Sequence, residues 1–261
     1  MAETRIGVLG CGGRMGRMLV AEIAASEGCI LSGGSARPGS PLVGSALGGG
    51  LAVTDSPEAL IGASDVVIDF TAPEASAAHA ALAARLATPI VIGTSGLAAE
   101  HERTVREAAR QVAVVWAANT SLGVNLLLGL VEQVAGRLGP EWDIEIVEMH
   151  HRGKVDAPSG TALALGRVAA AARGTRLDEV AQRGRDGITG PRRRGDIGFA
   201  ALRGGDAVGD HHVVFAGTGE RLELVHRATN RAIYATGAVR AARWLIGRPA
   251  GLYGMKDVLG L

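Results

Sequence analysis

A short apolar run, Ile6-Gly7-Val8-Leu9, leads directly into Gly10-Cys11-Gly12-Gly13-Arg14-Met15-Gly16. That glycine cluster opens a helical pattern in which Met15, Leu19 and Ile23 recur on one face. A strand, a glycine-rich turn and a helix in this order suit very few folds. Glycines let the main chain turn tightly, approach a pyrophosphate, and bring helix and strand close together. The helix start adds free amides and a positive dipole end, which favour an anion. The spacing reads as G-x-x-G-x-x-G with Gly12 as an extra glycine, and the flanking strand and helix give it a dinucleotide-binding reading.

The same rhythm continues to about residue 120. Apolar runs recur at Cys29–Leu31, Val66–Phe70, Pro89–Ile92 and Val112–Trp116, and Ala78, Leu82 and Leu86 fit one face of an intervening helix. Alternating strands and helices, with strands apolar on both faces, predict a doubly wound parallel sheet of the Rossmann type. The glycine-rich stretch Gly33–Gly50 is expected as a long loop. From about residue 121 the pattern changes. A long apolar helix over Val124–Leu138 precedes an alternating strand at Asp143–His150, and a second helix is expected from Thr161 to Arg173. Strand-like runs follow at Ile197–Arg203, His212–Ala216 and Arg221–His226. The expected architecture is α/β: a dinucleotide-binding domain over 1–121 plus 231–261, and an α+β mixed-sheet substrate and oligomerisation domain over 122–230.

The chemistry is densest in Glu148-Met149-His150-His151-Arg152-Gly153-Lys154-Val155-Asp156-Ala157-Pro158-Ser159-Gly160-Thr161. His150 and Lys154 can donate protons. Ser159-Gly160-Thr161 reads as a helix opening whose amides can seat a carboxylate. Taken separately, paired histidines are often polar residues at a strand end and Ser-Gly-Thr only a cap. Combined with a nucleotide loop, they read as an active site for a small acidic substrate. No acidic residue follows the second strand to hold ribose hydroxyls, whereas Arg37 offers a planar charged fork for a 2′-phosphate, favouring NADPH over NADH.

Other classes fit poorly. A net charge of +1 gives no polyanion-binding field, and 3% aromatic residues leave few stacking platforms for single-stranded nucleic acid. Arg192-Arg193-Arg194 therefore reads as a solvated loop. Cys11 and Cys29 are too few for a disulfide framework or a cysteine zinc site, and a thiol at residue 11 would face the pyrophosphate rather than a substrate. Adjacent histidines on a strand point oppositely, so neither His150-His151 nor His211-His212 chelates an ion side by side, and no metal is expected. No signal peptide or membrane-spanning run is read, so a cytoplasmic protein without membrane or nucleic-acid partners is expected. A dehydrogenase working through a thioester lacks a suitable cysteine. A non-catalytic NADP-binding sensor would have no need of His150 and Lys154.

With these residues in view, the chain closely resembles the 4-hydroxy-tetrahydrodipicolinate reductase (dihydrodipicolinate reductase) family. The likeness runs through Gly10–Gly16, Asp69–Glu74, Gly93–Gly96, Ala117–Ser121, Gly123–Asn125, Glu148–Ala162, Asp196–Phe199, Gly219–Glu223, Gly237–Arg240 and Gly251–Tyr253. The resemblance implies reduction of a hydroxylated cyclic imine dicarboxylate, with loss of water, by NADPH or NADH in lysine and diaminopimelate biosynthesis. It implies His150 and Lys154 as catalytic proton donors and His151, Gly160 and Thr161 as substrate contacts. It implies Gly10, Cys11, Gly12, Gly13, Arg14, Met15, Arg37, Gly93, Thr94, Ser95, Ala117, Ala118, Asn119 and Thr120 as cofactor contacts, and a homotetramer. Four positions depart from the family pattern. Ala36 stands where some members have an acidic residue, Ser95 and Thr120 replace residues more usual at nicotinamide contacts, and Gly153 replaces a histidine.

Overall fold

The computed structural model describes residues 3–261. They form two compact units, one running up to Leu122 and resuming over Ala232–Leu261, the other spanning Gly123–Arg231.

In the first unit, β1 (Thr4–Leu9), β2 (Cys29–Ser35), β3 (Ala46–Gly48), β4 (Leu51–Thr54), β5 (Val66–Asp69), β6 (Ile90–Ile92), β7 (Ala113–Trp116) and β13 (Gly251–Tyr253) make one sheet. Their order is β13-β7-β6-β5-β1-β2-β4-β3, parallel throughout except for the edge pair β3–β4. Alternate side chains of the central strands feed two cores. Ile6, Val8, Val66, Ile68 and Val91 join α1 (Arg14–Ala25) and α8 (Ala232–Leu245) on one face. Leu9, Val67, Ile90 and Ile92 meet α2 (Pro57–Gly62), α3 (Pro73–Arg85) and α4 (Ala99–Ala108) on the other. Each fully buried side chain of this kind is worth about 1.5–3 kcal/mol, so burial on both faces explains why these strands are continuous apolar runs. The order reverses between β1 and β5, and the crevice outside the carboxyl ends of strands at such a switch point is where open α/β sheets bind ligands. The chain ends in α9 (Met255–Leu259).

Two expectations are corrected here. The stretch Gly33–Gly50 is not one loop: β2 continues through Ser35, and β3 lies within it. Gly34 serves close approach, since a Cβ there would lie 2.8 Å from the Cys11 Sγ. The buried face of α3 is Ser76, Ala77, Ala80, Ala83 and Ala84, whereas Ala78 is exposed. Alanines lie on most sides of this helix, so apolar periodicity alone does not select its buried face.

In the second unit, β8 (Asp143–His150), β9 (Ala181–Gln182), β10 (Ile197–Arg203), β11 (Gly209–Gly217) and β12 (Glu220–Ala228) form a mixed sheet in the order β12-β11-β8-β10-β9. Strand β8 runs parallel to β10 and antiparallel to β11. Its residues alternate between half-buried and buried, so Ile144, Ile146, Glu148 and His150 share one face. Ile144 and Ile146 pack with Val213, Phe215 and Phe199 against residues of α5 (Leu122–Arg137) and α6 (Gly160–Ala172). A short helix, α7 (Leu177–Val180), precedes β9. The opposite sheet face leaves Leu202 and Val225 about half exposed. Arg192 is not solvated, as the sequence suggested. It pairs with Asp143 at 2.6 Å and Glu145 at 2.9 Å, with a side chain only 16% exposed, while Arg193 and Arg194 are exposed. Among the described residues, no helix is long and apolar enough to cross a membrane.

Candidate active site

At the end of β8 the buried face changes from isoleucine to charge: Glu148 is 1% exposed and His150 9%. A carboxylate that far from water needs partners, and Glu148 has several. Its Oε2 accepts from His150 Nδ1 at 2.6 Å and from Arg203 at 2.8 Å. Its Oε1 accepts from the other Arg203 nitrogen at 2.8 Å and from the Ser159 amide at 3.1 Å. Burial pushes the carboxyl up, but the bonds from Arg203 and His150 outweigh it and hold the group below the ordinary glutamate value.

Ser159 caps α6, its hydroxyl accepting from the Ala162 amide at 3.1 Å. The same hydroxyl lies 3.1 Å from Nε2 of His211, whose ring meets His150 edge to face at 5.3 Å. Burial first, and His150 second, push the His211 imidazole down to about 4. It is therefore neutral at neutral pH. Gly160 is exposed, with open space where a Cβ would stand, and Thr161 is half-buried at the next helical position. The helix start thus presents backbone on its open side.

Lys154 is paired in this structure. Its ammonium donates to both oxygens of Asp156 at 2.8 and 3.0 Å. The Asp156 side chain is 58% exposed, and exposed pairs of this kind are worth only about 0–1 kcal/mol, so Lys154 can exchange partners easily. His151 is half-buried, its amide donating to Ala207 at 2.7 Å, and Arg152 is exposed. Among the described residues, no group of three His, Cys, Asp or Glu side chains is placed to hold a metal ion.

The nucleotide loop closes a cleft of about 520 Å³ at the β1–β5 switch point, lined by Gly10, Gly12, Gly13, Arg37, Thr71 and His79 among others. Gly10 has φ +78°, and a Cβ on Gly16 would lie 2.1 Å from the Gly10 carbonyl, so α1 meets the turn at a distance only glycine allows. At Gly12 a Cβ would meet only the end of Leu42, consistent with its reading as the extra glycine. Helix α1 has no side-chain cap bond and no acidic residue in its first turn, which leaves its amides for an anion. These features fit a dinucleotide, and Arg37 is exposed on the cleft rim.

Three side chains depart from the expected picture. Cys11 is buried in the core with its thiol pushed up by burial, so it does not face the pyrophosphate. The Thr94 hydroxyl is committed to a buried network, accepting from Ser76 at 2.7 Å and from the Thr71 amide at 3.1 Å. Thr120 is 1% exposed and donates to the Tyr234 carbonyl at 2.7 Å, so its hydroxyl tunes no nicotinamide. Gly93 is pressed against the Phe70 ring, Ser95 and Ala118 are exposed, Ala117 is half-buried, and Asn119 accepts from the Ser121 amide.

Sequence reasoning missed two networks. Asp69, fully buried at the end of β5, accepts from Thr71 and Ser76 and bonds His79 at 2.6 Å, fixing one wall of the cleft. The other is Glu148 with Arg203 and His211. A glutamate at an inward-facing strand position was the available signal for it.

Comparisons with known proteins follow the same division. The family described as "Dihydrodipicolinate reductase, N-terminus" matches residues 4–120, and "Dihydrodipicolinate reductase, C-terminus" matches 123–259. The 4-hydroxy-tetrahydrodipicolinate reductase of Parvibaculum lavamentivorans is 53% identical over all of this chain and 99% of its own. That of Ruegeria pomeroyi is 52% identical over 97% of each. Among solved structures, a dipicolinate-bound dihydrodipicolinate reductase from Paenisporosarcina sp. TG-14 superposes with a TM-score of 0.81 over 98% of both chains, at 22% identity.

Proposed function

The chain belongs to the dihydrodipicolinate reductase family, and we propose how its residues perform that family's reaction, the NAD(P)H-dependent reduction of 4-hydroxy-tetrahydrodipicolinate to tetrahydrodipicolinate with loss of water. The observation that carries the reading is His150: an imidazole held by a buried carboxylate beside the amide-bearing start of α6. A bound nicotinamide supplies the hydride, and its reduction of the conjugated ring leaves electron density that needs a proton. His150 donates that proton. Lys154, released from Asp156, stabilises the developing charge and a substrate carboxylate. The Gly160 and Thr161 amides, with His151, hold the carboxylates.

Cofactor contacts are assigned to Gly10–Met15, Gly93–Ser95, Ala117–Thr120 and Arg37, through main chain where the side chains are committed elsewhere. Arg37, with Ala36 in place of an acid, makes NADPH the preferred cofactor. The half-exposed apolar residues on the outer face of the second sheet suit a homotetramer formed through that unit. A sensor that only binds nucleotide is not favoured, because nothing in such a role uses a buried Glu148–His150 pair. The test is loss of reduced-nicotinamide absorbance on mixing NADPH with substrate freshly made from pyruvate and aspartate semialdehyde. Tight NADPH binding without turnover would overturn the reading, and a concentration-independent monomer in light scattering would overturn the tetramer.

A further inference from the structure

Glu148 does more than neutralise Arg203. We propose that Glu148 is the positioning residue of proton delivery: it fixes His150 with Nδ1–H donated to the carboxylate and Nε2 as the proton-transferring atom, and through the Ser159 amide it holds the carboxylate-binding start of α6 in register with that nitrogen. The proposal rests on the reading of His150 as the proton donor.

Three observations carry it. An ionised carboxylate only accepts hydrogen bonds, so the 2.6 Å contact makes Nδ1 the donor and settles the ring's orientation. A Cβ on Gly209 would lie 2.9 Å from Nε2, so only a glycine there leaves room beside that nitrogen. The carboxylate oxygen opposite His150 takes the Ser159 amide, so a single rigid group spans the donor and the helix start. A purely structural ion pair would need only the two-pronged contact with Arg203, which uses one site on each oxygen.

The charges facing His150 are few. Glu148 lies on its own strand, and Arg203 on β10 is compensated by Glu148. His211 on β11 is neutral, with His226 on β12 beyond it as its cross-strand neighbour, also pushed down by burial. Lys154 and Asp156 form the nearby exposed pair. Among the described residues, Glu148 is thus the one anion bonded to the imidazole, and Arg203 sets how much of its charge the imidazole experiences.

The experiment compares the pH profile of kcat/KM for the NADPH-loaded full chain and two variants. Glu148→Gln keeps the shape, removes the charge and can present an amide to Nδ1, which favours the wrong tautomer. Its kcat should fall at least about tenfold, the scale of a misplaced proton donor, with the alkaline limb moved to lower pH and the NADPH dissociation constant within about threefold. Arg203→Met leaves the carboxylate uncompensated, and its alkaline limb should move to higher pH. Opposite shifts in folded variants are something a structural role would not produce. A wild-type limb and kcat in Glu148→Gln, or an unmoved limb in Arg203→Met, would overturn the proposal; if Glu148→Gln does not fold, Arg203→Met decides alone. A His150→Gln variant with normal turnover would instead overturn the underlying donor assignment, leaving the two failures distinguishable.

Discussion

The candidate sites of the two units are built by different physical means. Around the nucleotide cleft, the work is done by main chain: a turn at Gly10, a contact at Gly16 too close for any Cβ, and an uncapped helix start. At the end of β8 it is done by buried side-chain charge, with Glu148 linking Arg203, His150 and the α6 cap in a volume nearly closed to water. Main-chain sites depend on shape and are screened by solvent at an open cleft. Buried networks depend on charge balance, and losing one member strands the others. Substitutions should therefore have graded effects in the first unit and steep ones in the second.

The steepest is expected at His150. His150→Ala should lower kcat by about 10²–10⁴-fold, the usual contribution of a positioned proton donor, while leaving NADPH affinity within a few-fold. Steady-state kinetics with fluorescence titration of NADPH separates the two. Near-normal turnover would move the role to His151, and an equal loss of NADPH affinity would erase the distinction between the units.

That distinction also explains what the sequence revealed. The glycine loop was legible because all its parts lie within Gly10–Gly16, where spacing alone carries the geometry. The Ser159 cap was legible for the same reason, since it lies next to the helix it opens, within one short stretch. Arg203 and His211 were not, because they reach Glu148 only through the pairing of β10 and β11 with β8, and register between distant strands is not written in local spacing. Arg192 was missed likewise: it sits in a run of arginines in an irregular segment, but its partners are Asp143 and Glu145 on β8, almost fifty residues earlier. The orientation of Cys11 has the same non-local cause. The loop's position was right, but which way its side chain turned depended on a glycine at residue 34.

The next effect concerns stability. His211 is pushed from 6.5 down to about 4 in the folded protein. Because the folded value is lowered, the unfolded chain takes up this proton first as pH falls. The stabilisation is present above about pH 6.5 and is lost progressively toward pH 4. The full difference is on the order of 3 kcal/mol. Glu148, also held below its ordinary value, adds a further loss at lower pH as its carboxyl protonates. Urea denaturation across this range should show the decline, and His211→Gln should flatten it above pH 4. An unchanged slope would mean that the imidazole is not the group being titrated.

In the first unit, Arg37→Ala should raise KM for NADPH by about one to two decades, the worth of a charge-assisted hydrogen bond of about 1.5–3 kcal/mol, with much less effect on NADH. Equal losses for both cofactors would remove Arg37 from the 2′-phosphate. Gly16→Ala tests the cradle itself. Its Cβ must displace the Gly10 carbonyl, and overpacking of this kind costs about 1–3 kcal/mol. Weaker binding of both cofactors alike is expected, in contrast to the selective effect at Arg37. A selective loss there would show that the loop discriminates between cofactors rather than merely admitting them.

The smallest effect should come from the Lys154–Asp156 ion pair of the second unit, whose carboxylate is exposed, and it tests whether burial is what makes that unit steep. Lys154 and Asp156 are as well aligned as Glu148 and His150, with contacts of 2.8 and 3.0 Å, yet the Asp156 side chain is 58% exposed against 1% for Glu148. Water can replace either partner, so the pair contributes about 0–1 kcal/mol. Asp156→Asn should change kcat by less than about fivefold and leave unfolding stability within about 1 kcal/mol. Lys154→Ala should instead lower kcat at least about 10²-fold if the ammonium acts on the substrate once released. Large and equal losses in both variants would show that the pair acts as a unit, with Asp156 holding the lysine in place as Glu148 holds the imidazole. Exposure would then no longer separate the sensitive contacts of this unit from the tolerant ones.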